Sequence, residues 1–167
     1  VVVIGGGHAG CEAAHASARL GLKTAMITLD PARIGVLSCN PAVGGLAKGQ
    51  LVREVDALGG IMGRITDQSA IQYRKLNASK GPAVRSPRAQ CDKDLYPENM
   101  QRLLKSVENL EILRGEATEI LLAGSRVSGL MLASGHKLEC LSIVVTSGTF
   151  LQGLMHCGTK KTDGGRL

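Results

Sequence analysis

Two stretches hold residue types whose spacing could do chemistry. The first, residues 5–10, reads "GGGHAG" and sets Gly5, Gly7 and Gly10 in the pattern G-x-G-x-x-G. That spacing suits a pyrophosphate. The first glycine turns the chain, the second lets the phosphates approach the backbone, and the third lets a helix pack closely on a strand. Gly6, His8 and Ala9 complete the turn and are counted with it as cofactor-binding, with no acid–base work assigned to His8. The second stretch, residues 38–50, reads "SCNPAVGGLAKGQ" and places Cys39 beside Asn40, then Gly44 and Gly45, then Lys48. A surface linker has no use for that thiol, and a packed core has little use for so much glycine. Backbone brought close to a ligand, with a thiol held nearby, is the expectation. Against it stands the ordinary fate of a free cysteine, which is to be a small buried hydrophobe. Lys48 suits a phosphate or an exposed place ahead of a helix equally well.

These residues need elements to position them. Residues 1–4, "VVVI", form a β-branched run of the kind a buried parallel strand requires. After the glycine turn, Ala13, Ala14, Ala16, Ala18 and Leu20 carry a helix that Gly21 ends. A second strand follows in "KTAMIT", residues 23–28. A lone G-x-G-x-x-G is weak, but strand, turn, helix and strand in this order make the dinucleotide reading strong. The helix N-terminus then offers N–H groups and positive dipole to the phosphates. An acid normally ends the second strand and binds the ribose hydroxyls. Thr28 stands there instead and the nearest acid is Asp30, so ribose contact falls to one of these two.

Further along, "RVSGLMLASGHKLECLSIVVTSGTF" reads as short strands joined by "ASGHK", a β-meander ending in an apolar strand at residues 143–146. It leads into Gly148 and Thr149, where a cofactor can approach closely. The preceding "LEILRGEATEILL" supplies another strand, near which an adenine commonly sits, and Ala117 is assigned there. Large FAD-binding domains cross between strands by such a meander, whereas a minimal NAD domain uses helices. The expected fold class is α/β, a Rossmann-like FAD-binding domain with a βαβ start and a β-meander crossover.

The 167 residues suffice for one domain with a real core, and 44% hydrophobic with 20% charged content excludes a disordered chain. Three aromatics, Tyr73, Tyr96 and Phe150, leave the core to Val, Ile, Leu, Ala and Met. No apolar run reaches membrane-spanning length and no signal peptide is present, so no membrane partner is expected. Five scattered cysteines without a C-x-x-C pair support neither a structural zinc nor a disulfide framework. No metal ligand is assigned, and a reducing, cytoplasmic setting is expected. Cys11 and Cys140 read as packing, while Cys91 and Cys157 stay open. The chain opens on a short strand without methionine and closes at "TDGGRL" with an element unfinished, so residues 1–167 read as the N-terminal part of an FAD-binding domain in a longer protein.

The net charge of +6 is concentrated, with six bases and one acid between residues 74 and 93. Residues 79–88, "SKGPAVRSPR", mix two prolines and a glycine with Lys80, Arg85 and Arg88. Such a loop cannot be helix and holds its cations on a stiff, exposed backbone. It is either a solvated face or an anion and nucleic-acid footprint, with Tyr73 and Tyr96 flanking it as candidate stacking platforms.

With these pieces assembled, the chain resembles the tRNA uridine 5-carboxymethylaminomethyl modification enzymes (MnmG/GidA), the flavoprotein family formerly called glucose-inhibited division protein A. The stretches that carry the resemblance are "GGGHAGCEAA", "SCNPAVGGLAKGQLVREVDALGG", "LNASKGPAVRSPRAQCDKDLY" and "VVTSGTFLQG". Cys11 departs from a common threonine, and the last residues, around Asp163, drift from the pattern.

The resemblance implies an enzyme that adds a carboxymethylaminomethyl or aminomethyl group at C5 of the tRNA wobble uridine. It further implies FAD and NAD(P)H, a carbon from methylenetetrahydrofolate, a tRNA-modification GTPase as partner, and a homodimer. Within it "NPAVGG" would wrap the flavin, with Asn40, Gly44 and Gly45 as cofactor contacts and Lys80, Arg85 and Arg88 on tRNA. Cys39 becomes the catalytic candidate. Its thiolate either adds to uridine C6 and so activates C5, or acts as acid or base. Taken alone, the segment is expected to be inactive and to hold FAD poorly.

Three other readings compete. A flavin disulfide reductase needs a partner cysteine close to Cys39, which is missing. A folate- and FAD-dependent tRNA uridine methyltransferase carries an acid where Thr28 stands. A non-catalytic RNA-binding module explains the basic loop but not the dinucleotide turn.

Overall fold

The computed structural model describes residues 1–148, 151 and 153–163. Strand β1 (Val2–Ile4) runs into helix α1 (His8–Arg19) and strand β2 (Thr24–Thr28), the expected βαβ start. Gly21, at φ +81°, turns the chain out of the helix. After a short 3₁₀ turn (Pro31–Arg33) come β3 (Ala42–Gly44), α2 (Lys48–Ala57) and α3 (Met62–Ser69). Strands β4 (Ala70–Leu76) and β5 (Ser86–Cys91) precede α4 (Leu95–Lys105). Then follow β6 (Leu110–Arg114), β7 (Ala117–Ala123), β8 (Arg126–Leu132), β9 (Lys137–Glu139) and β10 (Ile143–Val145), with a last hairpin of β11 (Leu154–Cys157) and β12 (Lys160–Asp163).

One parallel sheet, in the order β10-β1-β2-β6, forms the centre. Its strands alternate sides, so Val3 and Met26 face one layer while Val2 and Ile27 face the other. The first layer is the larger core. Cys11 and Ala14 of α1 meet Ile61, Ile65, Tyr96, Met100 and Leu104 there, together with Val43, Ala89 and Cys91. On the opposite face Leu130 and Leu132 of the antiparallel meander β7-β8-β9 cover the sheet. The result is the α/β fold expected, with a meander as the crossover back to β10.

Two local expectations need correction. "LEILRGEATEILL" is two strands in different sheets, because the Gly115 N–H bonds to the Thr28 carbonyl at 2.9 Å and the chain leaves the parallel sheet there. The basic stretch is also only partly a loop. Asn77 ties residues 77–84 by donating to the Val84 carbonyl at 3.0 Å, but residues 86–91 form the middle strand of the antiparallel sheet β3-β5-β4. Pro87 is tolerated there because its carbonyl accepts the Gly45 N–H at 2.9 Å. Its nitrogen therefore also faces the β3 side, where the Gly45 carbonyl accepts the Ser86 hydroxyl instead.

Two side chains on α1 fasten the helices to one another. The Glu12 carboxylate accepts the Ile61 N–H at 3.0 and 3.1 Å and the Met62 N–H at 2.7 Å, capping α3 from a distance in sequence. Arg19 donates to the Gly59 carbonyl at 2.7 Å. The glycine turn and the α2–α3 junction are thereby held as one unit.

Candidate functional site

The first site forms at the carboxyl ends of the parallel strands, where open α/β sheets bind ligands. Gly5 sits at φ +112°, and a Cβ on it would lie 2.5 Å from the Thr146 carbonyl oxygen. A Cβ on Gly10 would fall on the Gly5 carbonyl oxygen, so this glycine is what lets α1 pack on β1. Gly7 is different. A Cβ there would meet nothing within 4 Å. No side chain caps α1 at Gly7 and no acid occupies its first turn, so neither a cap nor a carboxylate offsets the N–H donors and dipole of this helix end.

Around this turn stand the other residues assigned to a cofactor. The Thr28 hydroxyl lies 2.9 Å from where a Gly6 Cβ would be, at the end of β2. Asp30 is already used, accepting the Ala32 N–H at 3.0 Å to cap the 3₁₀ turn. Ala117 begins β7 and packs against the Ile27 and Leu130 cluster, two residues past the link between Gly115 and Thr28. Gly148, exposed and at φ +67°, lies three residues past the end of β10, the neighbour of β1. Thr149 lies outside the described residues.

His8 shares a cleft of about 330 Å³ with Ala9, Glu12, Lys48, Leu51 and Val52. Burial, with the Lys48 charge adding to it, pushes the His8 imidazole down to about 4. The ring is therefore neutral near neutrality, and its Nε2 is buried without a hydrogen bond. It packs 5.7 Å from the Tyr96 ring. Tyr96 is fully buried, so it cannot stack on a base, and burial raises its phenol well above the usual range.

The cysteine-containing stretch is built otherwise. Cys39 and Asn40 are exposed. Gly44, at φ +109°, leaves no room for a side chain because a Cβ would strike the Pro87 carbonyl. A Cβ on Gly49 would lie 2.5 Å from the Ser86 hydroxyl. Gly45 has φ +95° but only Leu76 within 4 Å of a Cβ, at 3.9 Å. Lys48 opens α2 and donates to the Ala42 carbonyl at 3.2 Å. Cys11 and Cys91 are buried packing residues, with burial raising the Cys11 thiol to about 12, and Cys140 is partly buried in the meander layer. Cys157 is exposed on the last hairpin.

A second site lies along β4 and β5. Arg53, Tyr73, Arg74, Lys75, Arg85 and Arg88 line a cleft of about 500 Å³ together with Ser86 and Pro87. Lys80 stands outside this lining, exposed, with its carbonyl accepting Arg85 Nε at 2.9 Å. Arg53 had no sequence signal, since α2 brings it from beyond the basic stretch. Among the described residues no helix is long and apolar enough to cross a membrane.

Comparison with known proteins matches the whole of residues 1–167 to the family model described as glucose inhibited division protein A. The tRNA uridine 5-carboxymethylaminomethyl modification enzyme MnmG of Endomicrobium trichonymphae is 52% identical over all of this chain, which covers 28% of that protein. Its counterpart in Bacteroides thetaiotaomicron is 54% identical, again over the whole chain and 27% of the relative. The structure of Aquifex aeolicus GidA in the form I crystal superposes with a TM-score of 0.94 at 52% identity, covering 99% of this chain and 28% of that one. The chain thus spans little more than a quarter of the length of the relatives it matches.

Proposed function

The chain belongs to the glucose inhibited division protein A family, and from that membership we propose that it forms part of the FAD-binding domain of a tRNA wobble-uridine modification enzyme. The observation that carries the reading is Gly7, whose missing side chain leaves open space before an uncapped helix N-terminus. The residues present fit a dinucleotide cofactor. The backbone of residues 5–10 would hold the pyrophosphate, Thr28 a ribose hydroxyl, and Gly148 would admit the cofactor past β10. Ala117 would lie towards the adenine, and Asn40 and Gly45 towards the flavin. FAD, once bound, would supply the redox chemistry, with NAD(P)H as reductant.

The activity proposed is addition of a carboxymethylaminomethyl or aminomethyl group at C5 of the wobble uridine, from a methylenetetrahydrofolate carbon. A tRNA-modification GTPase is the proposed partner, within a homodimeric, cytoplasmic enzyme. Cys39, exposed beside Asn40, acts in one of two ways. As thiolate it adds to uridine C6, which makes C5 the nucleophile toward the folate carbon; otherwise it carries a proton. Lys80, Arg85 and Arg88 would meet tRNA phosphates. The reading is tested by mass spectrometry of nucleosides from tRNA of cells lacking the full-length protein. Loss of the C5-modified wobble uridine is expected, and an unchanged nucleoside profile would refute the assignment.

A further inference from the structure

The basic cleft has features that a general phosphate contact does not explain. Arg74 and Arg88 stand directly opposite each other across the β4–β5 pair. Like charges so placed repel and weaken the pair unless an anion lies between them. On the far side of Arg88 the partner residue is Gly44, which has no side chain to fill or neutralise that row. Arg53 joins from α2, and Lys75 and Arg85 complete five cations lining the cleft. Neither ion pair among the described residues involves any of them.

One aromatic stands among these charges. Tyr73 is 62% exposed, yet its hydroxyl is tethered, donating to Asp67 at 2.8 Å. A large exposed ring held by a hydrogen bond is a ready stacking platform, since little side-chain freedom remains to be lost. Tyr73 and Arg74 leave opposite faces of the edge strand β4, and both, with Arg88, line the one cleft.

We infer that this cleft binds a single-stranded RNA segment, with phosphates on Arg53, Arg74 and Arg88 and one base stacked on Tyr73. The inference rests on the nucleic-acid reading above and sharpens it. Arg53, Arg74 and Tyr73 become binding residues, and a rigid duplex, whose bases are stacked on each other, cannot use the ring.

The test uses the full-length, FAD-loaded protein with three probes: whole tRNA, fluorescein-labelled octauridylate, and a blunt RNA duplex with the same number of phosphates. Octauridylate is expected to bind more tightly than the duplex. The double variant Arg53→Ala/Arg74→Ala is expected to lose about tenfold or more in octauridylate affinity. Its salt dependence should become shallower by about 0.7 for each phosphate contact removed. Tyr73→Ala is expected to lose about fivefold or more, while Tyr73→Phe, which keeps the ring and drops the tether to Asp67, stays within about twofold of wild type. Failure of the wild type to bind tRNA would overturn the proposed function itself. Normal tRNA binding with unaltered octauridylate affinity in these variants would overturn only the cleft assignment. So would equal preference for duplex, or displacement by inorganic pyrophosphate at matched phosphate concentration, which would make the cleft a small-anion site.

Discussion

Two glycine-rich regions of this chain look alike as strings and differ in what their glycines are for. In the turn at residues 5–10, Gly5 and Gly10 serve backbone packing, but Gly7 faces open space that no protein atom claims. In residues 38–50, Gly44 and Gly49 are consumed by the protein, lying against Pro87 and Ser86. Glycine density alone therefore does not mark a ligand. Open space alone, which Gly81 also has, does not mark one either; Gly7 is set apart by standing in front of the uncapped N-terminus of α1.

That contrast is open to measurement, and Gly44 gives the largest expected effect. Gly44→Ala forces a left-handed backbone conformation on alanine and drives its Cβ into the Pro87 carbonyl. A loss of about 3 kcal/mol or more of stability is expected in chemical denaturation of the full-length protein. A loss below about 1 kcal/mol would show that the backbone at Gly44 is not constrained in this way.

His8 tests the other region, where the neighbour of the open glycine is half-buried. Its folded value lies near 4, below the ordinary 6.5, so the unfolded chain takes up the proton more readily. Stability from this group is full above about pH 6.5 and falls as pH drops toward 4, by up to about 3 kcal/mol. His8→Gln should flatten that part of the stability–pH curve. An equally steep curve in the variant would show that His8 is not held neutral by burial.

Cys39→Ser is expected to change stability by less than about 0.5 kcal/mol, because the side chain is exposed. Wobble-uridine modification by the full-length enzyme should nevertheless collapse, with flavin content and tRNA affinity near wild type. Normal modification would leave residues 38–50 with a structural role alone.

The legible parts of the fold were those written locally. Residues 1–28 carry strand, turn and helix in their own hydrophobic pattern, and the meander carries a turn in "ASGHK". Helix α4 is also locally marked, by Asp92 accepting the Asp94 and Leu95 N–H groups and by Tyr96, Met100 and Leu104 at four-residue spacing. Arg53's place in the basic cleft depends on α2 docking beside β5, which no local window contains. The same holds for Pro87, whose place in a middle strand depends on where β3 stops. Tyr96 differs from expectation for a related reason, since its local stretch is charged while α4 turns it into the core.

The central claim is that the open glycine at position 7 belongs to a bound dinucleotide. Its most direct test is flavin absorbance per protein in purified full-length Gly7→Val, alongside far-UV circular dichroism and thermal unfolding of the same preparation. A valine side chain would enter pyrophosphate space, and its Cβ would meet nothing within 4 Å beyond its chain neighbours. The account predicts loss of flavin with the fold retained. Wild-type flavin content in a folded Gly7→Val protein would contradict it.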